Sequence, residues 1–330
     1  MQNDRRIFLQ AAGSLAALLA ALPRPGMAQA IDTVKIICGF PAGGTADAVC
    51  RRVAEKLRGE YARTAAVVDN RAGAGGRIAI DILKAAPADG ATLLLTPHSA
   101  LTVYPFIYQK LSYKPFEDLV PVSMGPSFSF GLGVGPMVPA DVKTVRDFLN
   151  WAKANPGQAN YASPAAGSPP HFMGAMLEKA SGVGLKHVPY RGSAPGIQDL
   201  LAGQIAAMCT PVGDYLAYVP TGKLRILGTS GPKRTRFTPD VPTMSEQGFS
   251  TIAFDEWYAF FAPKGTPANI VQQASAAIGK ALALPEVRNG LSALGLESSG
   301  SSPADLDREL HAEYDRWGPI VKAIGFTAES

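Results

Sequence analysis

From Thr33 onward the apolar residues follow two alternating periods. Short aliphatic blocks at Val34 to Gly39, Ala65 to Asp69 and Thr92 to Thr96 read as strands. Between them, Thr45 to Leu57 and Gly75 to Ala85 repeat their apolar positions at helical spacing. Such βαβ alternation predicts a parallel sheet covered by helices. From Pro97 to Pro139 the chain is rich in Pro, Tyr and Gly and shows neither period. The alternation then resumes with a helix over Val145 to Ala154, opened by a Thr144/Asp147 capping box. It continues through strands at Ala159 to Ser163, Leu185 to Pro189, Ile205 to Thr210 and Leu224 to Gly228, with helices starting at His171 and Ala194. A strand near Phe254 to Ala262 precedes two C-terminal helices, one capped by Thr266 with Pro267 in first position, the other opened by Ser302, Pro303 and Asp305. Two α/β series predict two lobes, with the C-terminal helices returning to cover the first.

The N-terminus does not belong to this pattern. Asp4-Arg5-Arg6-Ile7-Phe8-Leu9-Gln10 precedes an apolar run from Ala11 to Leu22 and then Ala28-Gln29-Ala30. A charged start, a short apolar core and small residues before a cleavage point read as a twin-arginine signal peptide over residues 1–30, removed near Ala30. The apolar run is shorter than the ~20 residues that span a bilayer. The expected location is therefore the periplasm. Loss of Arg5, Arg6, Arg24 and Asp4 from the 31 basic and 27 acidic residues leaves a net charge of +2. That balance gives no reason to expect a nucleic-acid partner, which calls for a concentrated basic face.

Three cysteines, Cys38, Cys50 and Cys209, form no CxxC pair and have no histidine at metal spacing, so no metal site is expected. Buried thiols and a Cys38 to Cys50 disulfide both remain open.

Ligand loops in parallel sheets lie at the carboxyl ends of strands, where the following helix presents free N–H groups. Phe40-Pro41-Ala42-Gly43-Gly44-Thr45-Ala46-Asp47 fits that description: its paired glycines let backbone approach an anion, and Thr45 is placed to cap the helix or meet the ligand. Ser163-Pro164-Ala165-Ala166-Gly167-Ser168-Pro169-Pro170-His171 fits it in the second series, with hydroxyls at Ser163 and Ser168 and backbone donors around Gly167. Paired across a cleft, the two loops would hold an anion between two helix N-termini. A third loop, Asn70-Arg71-Ala72-Gly73-Ala74-Gly75-Gly76, resembles a dinucleotide fingerprint, but Ile78 stands where the third glycine belongs. It is better read as shaping the same cleft, and no cofactor is expected. There is no HExxH, and Gly228-Thr229-Ser230-Gly231 lacks nucleophile-elbow spacing. The chain therefore reads as a binder with no catalytic residues. Two alternatives stand beside that reading: a hydrolase or lyase with Ser163 or Ser168 in a triad assembled in space, and a receptor that reports its ligand to a membrane signalling protein.

The same stretches, with Ala88-Asp89-Gly90, Ala154-Asn155-Pro156-Gly157, Asn160-Tyr161-Ala162-Ser163, His187-Val188-Pro189-Tyr190-Arg191-Gly192-Ser193-Ala194-Pro195, Asp199-Leu200-Leu201-Ala202-Gly203-Gln204, Gly222-Lys223-Leu224-Arg225 and Ala262-Pro263-Lys264-Gly265-Thr266-Pro267, resemble the extracytoplasmic solute receptors of tripartite tricarboxylate transporters, the Bug proteins. The resemblance runs from Val34 to Phe326. It implies a two-lobed Venus-flytrap of the periplasmic-binding-protein type, with residues 31–128 plus 252–330 as lobe one and 129–251 as lobe two. It also implies a monomer that binds a small carboxylate, a di- or tricarboxylate or an aromatic acid, and delivers it to a membrane permease. By resemblance the ligand positions are Phe40, Ala42, Gly43, Gly44, Thr45, Asp47, Gly73, Ala74, Gly75, His98 and Ser99 in lobe one, and Ser163, Gly167, Ser168, His171 and Thr210 in lobe two. Many relatives carry an acid where Thr210 stands, and Asp214 is out of that register. A plain carboxylate is therefore expected over an amino acid. Pro169 and Pro170 also depart from the small polar residues usual there.

The export reading is tested by replacing Arg5 and Arg6 with lysine. The address is read from the arginine pair and not from its charge, so the variant precursor is expected to stay inside the cell. Undiminished periplasmic yield, measured by fractionation, would sink the twin-arginine assignment.

Overall fold

The computed structural model describes residues 31–328, so the twin-arginine segment and its cleavage point lie outside the described residues. Ten strands form two five-stranded sheets. In the first, β1 (Thr33–Cys38) lies between β2 (Ala65–Asn70) and β3 (Thr92–Pro97), parallel to both; Ile36 sits opposite Val68 on one side and Leu93 on the other. Antiparallel β10 (Glu256–Pro263) then joins β3 to the edge strand β4 (Leu119–Phe128). In the second sheet β6 (Asn160–Ser163) lies between β7 (Lys186–Pro189) and β8 (Ala207–Pro211), all parallel, and antiparallel β5 (Phe130–Val134) joins β8 to β9 (Arg225–Thr229).

The two orders, β2-β1-β3-β10-β4 and β7-β6-β8-β5-β9, are the same pattern. The second sheet is built from one continuous stretch, β5 to β9, whereas the first takes its fourth strand, β10, from beyond that stretch. The crossings are short and tied together. Ser129 links β4 to β5 and donates its hydroxyl to Asp255 at 2.6 Å, just before β10. Ser230 donates its amide to the Phe130 carbonyl and accepts the Phe130 amide on its hydroxyl, at 2.8 and 2.9 Å.

Eight longer helices cover the sheets: α1 (Thr45–Leu57), α2 (Arg77–Lys84), α3 (Val145–Ala154), α4 (Pro169–Ser181), α5 (Ser193–Leu201), α6 (Ala268–Ala283), α7 (Pro285–Ser292) and α8 (Pro303–Ile324). Helix α1 seats Val49, Cys50, Val53 and Leu57 on the first sheet, where Ile36, Ile37, Leu94, Phe260 and Phe261 are wholly buried. The second core gathers Ala162, Ile197, Leu200, Met208 and Tyr215. Helix α6 packs on α1 and β4, while α8 touches both β4 and α4. Trp317 of α8 is buried between Phe254 and Phe172, with ring centroids at 5.0 and 6.2 Å.

Most elements fall where the sequence pattern puts them, and the exceptions have physical causes. The patternless stretch from Pro97 to Pro139 contains two strands. Pro121 and Pro126 interrupt the reading of β4, yet proline is tolerated on an edge strand, and its pairing with β10 carries two register shifts. In β5, Gly131 and Gly133 leave room for the Tyr215 ring; a Cβ on Gly133 would lie 2.7 Å from it. Thr266 is not a cap: helix α6 starts after Pro267, and the Thr266 hydroxyl donates to the Pro263 carbonyl at 2.8 Å. The capping box at Thr144 and Asp147 is formed, and Ser302 caps α8.

The turn after β8 meets the turn after α7 at a pair of glycines. A Cβ on Gly213 would stand 2.0 Å from the Leu294 carbonyl oxygen. Gly213→Ala is thus expected to cost about 1 to 3 kcal/mol, the usual price of overpacking. Urea unfolding checks it, and an unchanged midpoint would mean that the two turns part freely.

Candidate functional site

In each sheet the central parallel strand is flanked by two others whose crossovers diverge, which opens a crevice at the carboxyl ends of that strand and its neighbour. In the first sheet these ends carry the Phe40–Gly44 loop and His98. In the second they carry the Pro164–Ser168 loop and the turn from Pro211 to Asp214.

Gly44 is the N-cap of α1 and makes no side-chain cap, so the helix presents its first amides without one. Ala42, Gly43 and Gly44 are exposed, and Phe40 and Thr45 are half-buried. Gly43 needs its glycine, with φ at +86°, whereas Gly44 has ordinary dihedrals and open space around its Cβ position. Asp47 faces inward and serves the loop. Its carboxylate accepts the Gly43 amide, Arg51 Nε and Asn70 Nδ2, each at 2.9 Å. Burial pushes its pKa up, but Arg51 and the two amide donors outweigh that and hold it below the usual range. Asp47 therefore shapes the loop and has no face left for a ligand. Thr45 Oγ1 lies 2.9 Å from the Tyr258 hydroxyl on β10.

The second glycine loop abuts the first, since a Cβ on Gly39 would lie 2.9 Å from Gly76 Cα. Gly73, Ala74, Gly75 and Gly76 all have positive φ, and at Ala74 this costs about 1 kcal/mol. Tyr104 donates its hydroxyl to the Gly75 carbonyl at 3.0 Å, and Arg77 Nε donates to the Ala74 carbonyl at 3.0 Å. Gly73, Ala74 and Gly75 are exposed.

His98 and Ser99 are buried, not presented in the cleft. The His98 ring stacks on Trp257, and its Nδ1 lies 2.9 Å from Thr102 Oγ1. Nε2 lies 3.0 Å from Glu256 Oε1 but makes no hydrogen bond. Burial drives both groups to the neutral form, pushing Glu256 up to about 8 and His98 down to about 3. The ring of His98 is a structural element under the cleft.

In the second sheet Ser168 is the N-cap of α4, again without a side-chain cap. The hydroxyls expected to face the ligand turn back on the loop, Ser163 and Ser168 both donating to the Ala165 carbonyl at 2.9 and 2.6 Å. His171 Nδ1 accepts the Gly167 amide at 3.0 Å, and its ring stacks on His187 at 3.9 Å and meets Phe326 edge-on. Burial holds His171 and His187 neutral, down to about 4 and about 3. Since Ser163 donates to Ala165, its 2.8 Å contact with His187 runs from Nε2–H to the serine oxygen. That is the wrong direction for activating a nucleophile.

Asp214, out of register with the acid of relatives, nonetheless meets the Thr210 side chain. Thr210 donates to Asp214 Oδ2 at 2.6 Å, and Ser193 hydrogen-bonds the same carboxylate. The short helical turn after Pro211 brings the two side chains together. Burial raises the Asp214 pKa, as it does that of Tyr258 on β10. Tyr258 and Tyr104 were missed in the sequence because each reaches the loops through tertiary packing, whereas Asp214 was set aside there as out of register. Among the described residues no cluster of His, Cys, Asp and Glu could hold a metal, and no helix is long and apolar enough to cross a membrane.

Two like sheets with glycine loops at their switch points define a two-lobed α/β protein of the periplasmic-binding-protein class. The family model described as "Tripartite tricarboxylate transporter family receptor" matches residues 49–326, and the chain belongs to that family. Protein BugT of Bordetella pertussis is 33% identical over 320 residues, covering 97% of this chain and 95% of BugT. Two solved structures share the fold. R. palustris Rpa4515 with adipate has a TM-score of 0.82 at 29% identity, covering 90% of this chain and 98% of that one. MatC from Rhodopseudomonas palustris with bound malate has a TM-score of 0.79 at 27% identity, covering 88% and 99%. The chain is thus a solute-binding receptor of the Bug type.

The neutral Glu256 generates a pH test. Its pKa is raised from 4.5 to about 8 on folding. The unfolded chain therefore loses this proton first as pH rises, and stability falls across that window and levels above it. Glu256→Gln keeps the size and shape of the buried side chain without the titration. Relative to the parent it is expected to gain on the order of a few kcal/mol between pH 5 and pH 9. Urea melts at both pH values measure this, and an offset that does not change with pH would refute a neutral buried Glu256.

Proposed function

We propose that this receptor binds a small carboxylate, of the di- or tricarboxylate or aromatic acid class, in the periplasm and hands it as a monomer to the permease of a tripartite tricarboxylate-type transporter. One observation carries the reading. The uncapped N-termini of α1 and α4 stand at matching switch points of two like sheets, the arrangement that clamps an anion from both sides. The ligand positions are then the exposed backbone of Ala42 to Gly44 and Gly73 to Gly75, with Phe40, Thr45 and Ser168 at the walls. His98, Ser99, Ser163, Gly167, His171 and Thr210 support them from behind. The lobes divide at residues 128/129 and 251/252, beside the tied crossings of Ser129 and Asp255. Relatives with adipate and malate support a dicarboxylate. Binding is preferred to hydrolysis because Ser163 is wholly buried and its hydrogen is committed to Ala165.

A micromolar receptor has about −8.2 kcal/mol to supply, and each hydrogen bond to a charged group gives roughly 1.5 to 3 kcal/mol. A few amides are sufficient. A Cβ at Gly44 makes only an ordinary 3.6 Å contact with the Pro41 carbonyl in the unliganded chain, so the loop accepts a side chain there and the larger effect of Gly44→Val is expected on the ligand. After a thermal-shift panel of mono-, di-, tri- and aromatic carboxylates has supplied a ligand, Gly44→Val is expected to weaken it at least tenfold, about 1.4 kcal/mol. Calorimetry beside an unfolding curve decides: native affinity in a folded Gly44→Val variant would remove the helix-terminus clamp.

A further inference from the structure

The segment that follows α8 touches the surroundings of two glycine loops that lie on different sheets. Gly325 ends the helix with φ at +74°, its amide closing on the Val321 carbonyl at 3.0 Å. The next residue, Phe326, sets its ring edge-on against His171 and Phe172 of α4, with centroids at 4.8 and 5.7 Å. A Cβ on Gly167 would lie 3.0 Å from the Phe326 ring and 2.8 Å from Ile107 Cδ1. The bend of the second-sheet loop is therefore pressed between Phe326 and Ile107, and His171, which takes the Gly167 amide, leans on the same ring.

Two residues on, Ala328 donates its amide to the Ile107 carbonyl at 2.9 Å and pairs with Tyr108 as an isolated parallel bridge. Ile107 ends the short helical turn Tyr104–Ile107, and Tyr108 caps it. That turn in turn grips the Gly73 to Gly76 loop of the first sheet. Arg77 lies 3.8 Å over the Tyr108 ring and gives its Nε to the Ala74 carbonyl, while Tyr104, edge-on to Tyr108 at 5.3 Å, gives its hydroxyl to the Gly75 carbonyl. An unbroken set of contacts thus runs from Gly167 through Phe326 and Ala328 to Ala74 and Gly75.

We propose that Phe326 to Ala328 form a strap that positions the two glycine loops relative to each other, with Phe326 the positioning residue at the second-sheet loop and the Ala328 amide the anchor toward the first. Gly73, Gly75, Gly76 and Gly167 all have positive φ, a conformation glycine enters freely and leaves as freely. The side chains of His171, Tyr104 and Arg77 each fix one loop from within its own sheet's surroundings. The strap is what relates one loop to the other. Its anchor is a single backbone hydrogen bond, so it can let go locally while both sheets stay folded. That these loops meet a ligand rests on the proposed function. The strap itself is read without a ligand, so a failure of every carboxylate to bind would leave its test standing.

Hydrogen–deuterium exchange of the ligand-free chain, read by mass spectrometry, tests it with three variants. Ala328→Pro removes the anchoring amide and leaves the Phe326 ring in place. Phe326→Ala removes the wedge, and Phe326→Leu keeps its apolar bulk. In Ala328→Pro and Phe326→Ala, exchange is expected to quicken at least about tenfold in peptides covering both 73–76 and 164–172, with β1 and β3 at the parent rate. Phe326→Leu is expected to return both loops toward the parent. A ring that only filled a gap would loosen 164–172 alone, since Phe326 does not touch the first-sheet loop. That result, parent exchange at both loops, or quickened exchange through β1 and β3 would each overturn the proposal, and Ala328→Pro decides should Phe326→Ala fail to fold. With a carboxylate from the panel in hand, Ala328→Pro is also expected to raise its dissociation rate at least about threefold. A parent rate in a variant with both loops loosened would overturn the part of the strap in binding.

Discussion

The whole molecule depends on one strand that returns from the far end of the chain. The second sheet is made from one continuous stretch, β5 to β9, but the first lacks its fourth strand until β10 arrives from beyond that stretch. The first sheet cannot bury its core alone, because β10 is buried along its whole length between β3 and β4. Completion of the first sheet therefore requires the chain to pass through the second and come back. The return also puts the crossing points beside the first crevice, for Asp255 precedes Glu256, and Glu256 lies against His98. At these crossings Ser129, Ser230 and Asp255 tie neighbouring strands by hydrogen bonds.

The crevices themselves are made of backbone. At the first, acid and amide side chains turn away from the cleft to fix the carbonyls and amides of the loop: Asp47 takes the Gly43 amide, Asn70 donates to the Phe40 carbonyl, and Tyr104 and Arg77 grip the strained turn at Gly73 to Gly76. At the second, His171 takes the Gly167 amide, and the two serines fold onto Ala165. A flexible glycine loop would lose much of its binding energy to ordering, and these side chains supply that order in advance.

The alternating pattern made the parallel strands, their helices and both glycine loops legible, because burial against one sheet imposes helical and strand periods on consecutive residues. It could not reveal β4 and β5. Pro121 and Pro126 are permitted by an edge position, and Gly131 and Gly133 by the Tyr215 ring, and both permissions come from distant parts of the chain. The same limit explains the side chains. A family pattern places His98, Ser163 and His171 near a ligand, but only the packing tells whether each faces the cleft or braces its wall. Asp214 is the sharpest case: it is out of register with the acid of relatives, and one short helical turn brings its carboxylate to Thr210.

Asp214 is also the one acid that complicates an otherwise neutral site. His98, His171 and His187 stay uncharged well below neutral pH, and Glu256 is neutral up to about 8. Asp47 keeps its charge, but Arg51 neutralises it at 2.9 Å. The field at the two helix termini therefore comes mainly from backbone dipoles, which do not titrate. Asp214 lies where burial favours its protonated form and where the hydroxyls of Thr210 and Ser193 favour its anion. A carboxylate arriving nearby would add like-charge repulsion and tilt that balance toward the proton. The acid can then offer a donor to an oxygen, or keep its charge for a ligand that brings a donor of its own. In the proposed site the choice between these two would follow from the chemistry of the ligand at the end away from the helix termini.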